Sequence, residues 1–118
     1  MDSRRNEAVF TPKWKSEQTD LLMEALLCIE NKEEAYRLME DMLTIQELKS
    51  ITQRLEVAVM LRQKVTYQEI AQRTGASTAT ISRVNRSLQY GADGYSFALN
   101  RLEASGLIQQ KEEKDSNV

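Results

Sequence analysis

The residues with the most chemical potential lie together between Ser77 and Arg86, in the run Ser77-Thr78-Ala79-Thr80-Ile81-Ser82-Arg83-Val84-Asn85-Arg86. Within it Ile81 and Val84, continued by Leu88, recur at i, i+3 and i+7 and predict one buried helix face. The other face then carries Ser77, Thr78, Ala79, Thr80, Ser82, Arg83, Asn85 and Arg86. Small hydroxyl and methyl groups come first and guanidinium groups follow. Hydroxyls and short methyls suit base edges in a major groove, the methyls meeting thymine methyl groups. Arginines further along the helix suit backbone phosphate, which takes paired, charge-assisted hydrogen bonds. The chemistry implied is recognition of duplex DNA, not bond making.

Such a helix needs a mount, and the sequence supplies one at residues 66–88. A first helix opens with Thr66, with Glu69 three residues on as a capping box, and turns Ile70 and Ala71 inward. Gln68 sits near its start. Ala71 is small where two crossing helices must approach. Gly75 stands where a tight turn needs positive φ. The second helix opens near Ser77. Helix, glycine turn and helix make a helix-turn-helix unit. An ordinary helical hairpin with a polar outer face is the competing reading. The uncharged start and basic continuation of the outer face favour DNA.

Composition narrows the alternatives. A length of 118 residues fits one domain. Hydrophobic content of 41% and charged content of 29% suit a soluble globular chain, and a single proline, Pro12, leaves helices unbroken. Helix formers dominate the middle, so the expected fold class is all-α. The absence of histidine removes the usual zinc ligand sets, so no metal is expected. The two glycines at 91 and 94 lack phosphate-loop spacing and the carboxylates scatter over helix surfaces, so the chain does not read as an enzyme. The single cysteine, Cys28, has no internal disulfide partner and reads as a small core residue. No apolar run is long enough for a membrane span and no signal-peptide core opens the chain, which points to the cytoplasm. The net charge is only −2, but residues 51–101 hold seven cations against three anions, a net of +4 that leaves −6 elsewhere. One basic half is a weak electrostatic footprint of nucleic-acid binding.

In chain order, residues 1–15 read as a flexible N-terminal arm. Its Arg4, Arg5, Lys13, Trp14 and Lys15 are available to DNA or a partner, and a plain frayed terminus is the other reading. Residues 16–108 read as one helical domain. Its first helix, Ser16 to Glu30, sets Leu21, Leu22, Ala25, Leu26 and Ile29 on one stripe. Asn31 with Glu34 caps a second helix with Ala35, Leu38, Met39 and Met42 inside. Thr44 with Glu47 opens a long third helix to about Gln63, with Leu48, Ile51, Leu55, Ala58, Val59 and Arg62 down one side and Val57, Met60 and Leu61 widening the apolar surface. A chain this small cannot hide so broad a surface alone, so a homodimer with interlocked first three helices is expected. Asp93 is expected to cap a last helix through Ala104, with Gly106 at its end. Residues 109–118 read as an acidic flexible tail.

The segment Met42 to Leu88 resembles the Trp repressor family and, within it, the Trp-repressor-like YerC/YecD type of Gram-positive bacteria. The most telling pieces are Met42-Leu43-Thr44, Gln53-Arg54, Ala79-Thr80-Ile81-Ser82-Arg83 and Ser87-Leu88. The resemblance implies a six-helix Trp-repressor-like fold, an intertwined homodimer, and repression through binding of a palindromic operator. It places DNA contacts at Gln68, Ser77, Thr78, Ala79 and Ser82, with Thr80, Arg83 and Arg86 on phosphates. It also implies an effector pocket among Thr44, Arg54, Thr80, Arg83, Val84 and Ser87, for a small-molecule corepressor. Two departures stand out: Val84 occupies a position that is glycine in tryptophan-responsive members, and the segment from Arg54 to Thr66 is one residue shorter. An isopropyl group fills the room an indole would need, so the expectation is a regulator that does not respond to tryptophan. The remaining alternative is an effector-sensing or protein-interaction module of the same fold without operator binding.

Overall fold

The structure, a computed structural model, describes residues 9–109. Arg4 and Arg5 of the expected arm and residues 110–118 of the expected acidic tail lie outside the described residues. The described chain is all-α, with α1 (Glu17–Leu27), α2 (Lys32–Met42), α3 (Ile45–Arg62), α4 (Tyr67–Thr74), α5 (Thr78–Tyr90) and α6 (Gly94–Ala104). Six helices in this order are what the sequence led one to expect. The chain divides into two compact units, one reaching to Thr44 and one starting at Ile45.

In the first unit, local side-chain bonds place the helix ends. Ser16 caps α1, its hydroxyl accepting from the Thr19 amide while the Thr19 hydroxyl accepts from the Ser16 amide. The end of α1 comes three residues before Glu30. The amides of Cys28 and Ile29 close tight turns onto Ala25 and Leu26, because Asn31 must already be extended to cap α2. Asn31 accepts from the Glu34 amide, and the Glu34 carboxylate reaches back to the amide of Glu30 instead of the cap itself. Neither helix has a buried residue. Leu21 and Leu27 are 71% and 79% exposed, and Met42 is exposed as well. Cys28 is also exposed, which corrects its reading as a core residue: it is the C-cap of α1, a helix with no buried residue. Lys15 of the arm is held by an ion pair to Asp20 at 2.6 Å.

The second unit contains the buried core, Val57, Ala58, Ile70, Ala76, Ile81, Val84 and Leu99. α3 packs against α4, α5 and α6, and α5 packs against α4 and α6. The face of α3 that goes inside is centred on Val57 and Ala58, while Ile51 and Leu55, expected on the inner stripe, stay exposed. An all-round apolar helix carries no periodic signal that picks one side; the position of α4 and α5 does. Arg62 is likewise not buried among apolar groups. Its guanidinium pairs with Glu103 at 3.3 Å and hydrogen-bonds the Asn100 side chain, clasping α3 to α6.

Two helix ends close with the paired carbonyl contacts that follow a left-handed residue. After α6, Gly106 (φ +78°) lets the amides of Gly106 and Leu107 reach the carbonyls of Glu103 and Leu102. After α3, the same contacts run from Lys64 to Leu61 and from Val65 to Met60, but with lysine in the left-handed position at φ +67°. That conformation costs a non-glycine residue about 1–2 kcal/mol. Lys64→Gly relieves it and gives back part through the more flexible unfolded chain. The expected result is a gain of about 0.5 kcal/mol, read as a raised midpoint in denaturant titration. Asp93 occupies the cap position of α6 as expected, but it too is left-handed (φ +67°) and makes no side-chain cap bond. Its carboxylate cannot turn onto the first-turn amides from that backbone geometry. Gly91 is required by space: a Cβ there would lie 2.5 Å from the Ser87 carbonyl oxygen.

Candidate nucleic-acid interface

α4, the turn and α5 form the expected helix-turn-helix, with every joint accounted for by a short-range bond. Thr66 caps α4 by accepting from the Glu69 amide at 3.2 Å. The Glu69 carboxylate does not complete a reciprocal box; it pairs with Arg73 at 3.5 Å. Gly75 sits at φ +77°, and its amide bonds the Ala71 carbonyl. The Thr74 hydroxyl donates to the Ile70 carbonyl at 2.8 Å and accepts from the Ala76 amide at 3.1 Å. Ala76 then drops into the core. Ser77 caps α5, accepting from the Thr80 amide and donating to the Thr80 hydroxyl, both at 3.1 Å. From α3, the Gln53 amide donates to the Thr74 carbonyl at 3.1 Å.

This frame turns Ile81 and Val84 fully inward and leaves Ser77, Thr78, Ala79, Ser82, Arg83 and Arg86 exposed, with Thr80 half-buried. Gln68 is exposed on α4. The first turn of α5 contains no acidic residue, so its amides present uncompensated positive potential. Four cations elsewhere in the chain are neutralised locally: Lys15 by Asp20, Arg37 by Glu33, Arg62 by Glu103 and Arg73 by Glu69. Arg83 and Arg86 make no ion pair with a described residue, which leaves both guanidinium groups available to an external anion.

Beside this face lies a polar cavity of about 270 Å³ lined by Ser50, Gln53, Arg54, Ala79, Thr80 and Arg83. It gathers Arg54, Thr80 and Arg83 of the expected effector pocket. It does not gather Val84 or Ser87. Val84 is 1% exposed and belongs to the core, Ser87 is half-buried away from the lining, and Thr44 is the last residue of the first unit. Valine at 84 packs as one of the inner-face residues because α5 has its apolar stripe there. Gln53 was not singled out as a site residue by side-chain chemistry. Its bond spans 21 positions, and no local pattern announces it.

The fold is that of a helix-turn-helix protein of the DNA-binding regulator class. Residues 17–103 match the Trp repressor protein family. The protein YerC of Bacillus subtilis (strain 168) is 50% identical over 91 residues, 77% of this chain and 88% of YerC. A TrpR-like protein from Eubacterium eligens ATCC 27750 superposes with a TM-score of 0.75 at 50% identity, over 83% of this chain and 98% of that one. A candidate Trp repressor from Staphylococcus aureus gives 0.73 at 49% identity, over 76% and 90%. The chain belongs to the Trp repressor family, whose members are transcription regulators rather than enzymes. Among the described residues no helix is long and apolar enough to cross a membrane.

Proposed function

We propose that this chain is a cytoplasmic transcriptional repressor that binds a palindromic operator as a homodimer and does not use tryptophan as corepressor. The observation that carries the reading is the outer face of α5: an uncharged first turn with no acid, followed by Arg83 and Arg86 without ion-pair partners among the described residues. Ser77, Thr78, Ala79 and Ser82, with Gln68 on α4, are assigned to base edges, and Thr80, Arg83 and Arg86 to phosphates. The Ser77 hydroxyl already caps α5, so its role at a base edge falls to the remaining lone pair on its oxygen. With no arginine at the start of α5 for paired guanine contacts, specificity rests on water bridges and duplex shape. Selection of bound sequences from a random duplex pool, with and without an amino-acid mixture, tests the reading. A symmetric consensus recovered equally in both arms supports it, and failure to enrich any duplex rejects it.

The dimer is supported by apolar surface that the chain does not cover. Leu21, Leu26, Leu27, Ile45, Ile51 and Leu55 are all exposed. An open apolar groove of about 300 Å³ runs between α3 and α6, lined by Leu55, Val59, Met60, Leu102 and Ile108. Exposed apolar area of this extent is typical of an interface. Two copies of residues 16–108 would then form the folded unit. Sedimentation equilibrium at micromolar concentration is expected to return twice the chain mass of 13.6 kDa, and a single chain mass there rejects the dimer. The polar cavity favours a second reading, an effector-sensing role for Arg54, Thr80 and Arg83, which the amino-acid arm of the selection also tests.

A further inference from the structure

We infer that Gln53 is a positioning residue for DNA recognition, fixing where α5 begins relative to the long helix α3; this rests on the DNA-binding reading above. Its side-chain amide donates to the Thr74 carbonyl, the last carbonyl of α4, at 3.1 Å. That carbonyl lies at the left-handed joint of the motif, directly before Gly75 (φ +77°). The Gln53 amide nitrogen also stands 4.0 Å from the position a Cβ on Gly75 would take, so the same group closes the space over the turn. Thr74 is held from the other side by its own hydroxyl, which bonds Ile70 and receives the Ala76 amide. The turn therefore has one anchor within α4 and one across to α3.

The other roles open to Gln53 in DNA binding fail on position. Gln53 is half-buried on α3 and lines the wall of the polar cavity, not the outer face of α5, so it is not placed with the base-contacting residues. It is uncharged, so it supplies no phosphate pairing of the kind Arg83 and Arg86 offer. It is not part of the apolar core. What remains is its single directed bond to the turn, and an angular error at the start of a helix displaces every side chain further along it. Specific contacts are sensitive to such displacement, whereas non-specific charge pairing is not.

Gln53→Met keeps the length of the side chain and removes the donor; Gln53→Glu keeps the shape and places a carboxylate against the Thr74 carbonyl. Affinity is measured for the selected duplex and for a scrambled duplex across a salt series, on full-length chains whose helical content matches the wild type. Amide hydrogen exchange at Gly75 and Ala76 is followed in the free protein. The expected result for Gln53→Met is roughly a tenfold loss on the selected duplex, little change on the scrambled one, an unchanged salt slope, and faster exchange at the turn, with Gln53→Glu worse in the same sense. A merely structural role would lower the unfolding midpoint without changing the ratio of the two affinities. An unchanged ratio in both variants overturns the positioning role while leaving DNA binding intact. A wild type that binds no duplex overturns the DNA-binding reading and this role with it.

Discussion

Replacing Arg83 and Arg86 together with alanine is expected to lower duplex affinity about a hundredfold near 0.1 M salt, at roughly one charge-assisted phosphate contact per side chain. The dependence of log affinity on log salt should become shallower by about two for each bound protomer, since each neutralised phosphate contributes about 0.9 to the slope. Both side chains are exposed and make no ion pair with a described residue, so their removal takes nothing from the core. Helical content and unfolding midpoint should therefore stay at wild-type values. Alanine is also a good helix former, so α5 has no reason to fray. The loss should appear equally on selected and scrambled duplexes, because phosphate contacts do not read sequence. Unchanged affinity together with an unchanged salt slope would remove α5 from the DNA surface.

Val84→Gly carries the largest expected effect on stability, about 3 kcal/mol. Val84 is 1% exposed in a core of seven residues, so deletion of its isopropyl group leaves a cavity that few neighbours can refill. Glycine in a helix interior adds about 1 kcal/mol through backbone entropy. For a domain of this size the midpoint should fall by roughly 10–20 °C, seen by circular dichroism. A change within a few degrees would mean that the site does not depend on the side chain. The same residue governs the ligand expectation. The expectation that wild-type protein gives no micromolar heat on titration with tryptophan rests on valine standing where tryptophan-responsive members have glycine; the polar cavity beside α5 is itself lined without Val84. A clear micromolar response would show that the isopropyl group does not bar the indole.

How legible the site was depends on the range of the interaction involved. Thr66, Gly75 and Ser77 were readable because each acts on backbone within about three residues of itself. The inner face of α5 was readable because Ile81, Val84 and Leu88 repeat at helical spacing against a polar background. α3 was harder. It is apolar on several sides, and Val57 rather than Ile51 went inside once α4 and α5 chose a face. Asp93 was placed correctly at the head of α6, yet its left-handed backbone prevents the cap bond that its side chain suggested. Lys64 carries no sequence cue for its left-handed conformation, since glycine is the usual residue there.

The sequence by itself determined the number and order of the helices, the helix-turn-helix, the small-then-basic outer face of α5 and the family. The helices, the motif and the face follow from side chain to backbone bonds a few residues apart and from a 3.6-residue period, both of which a linear pattern can express, and the family follows from the resemblance carried by Met42 to Leu88. Only the tertiary structure decided that Gln53 holds the turn to α3, that Arg62 clasps Glu103 and Asn100 on α6, and that the polar cavity gathers Arg54, Thr80 and Arg83 without Val84. These contacts join positions tens of residues apart. Their partners are set by how helices cross, and no spacing along the chain encodes a crossing.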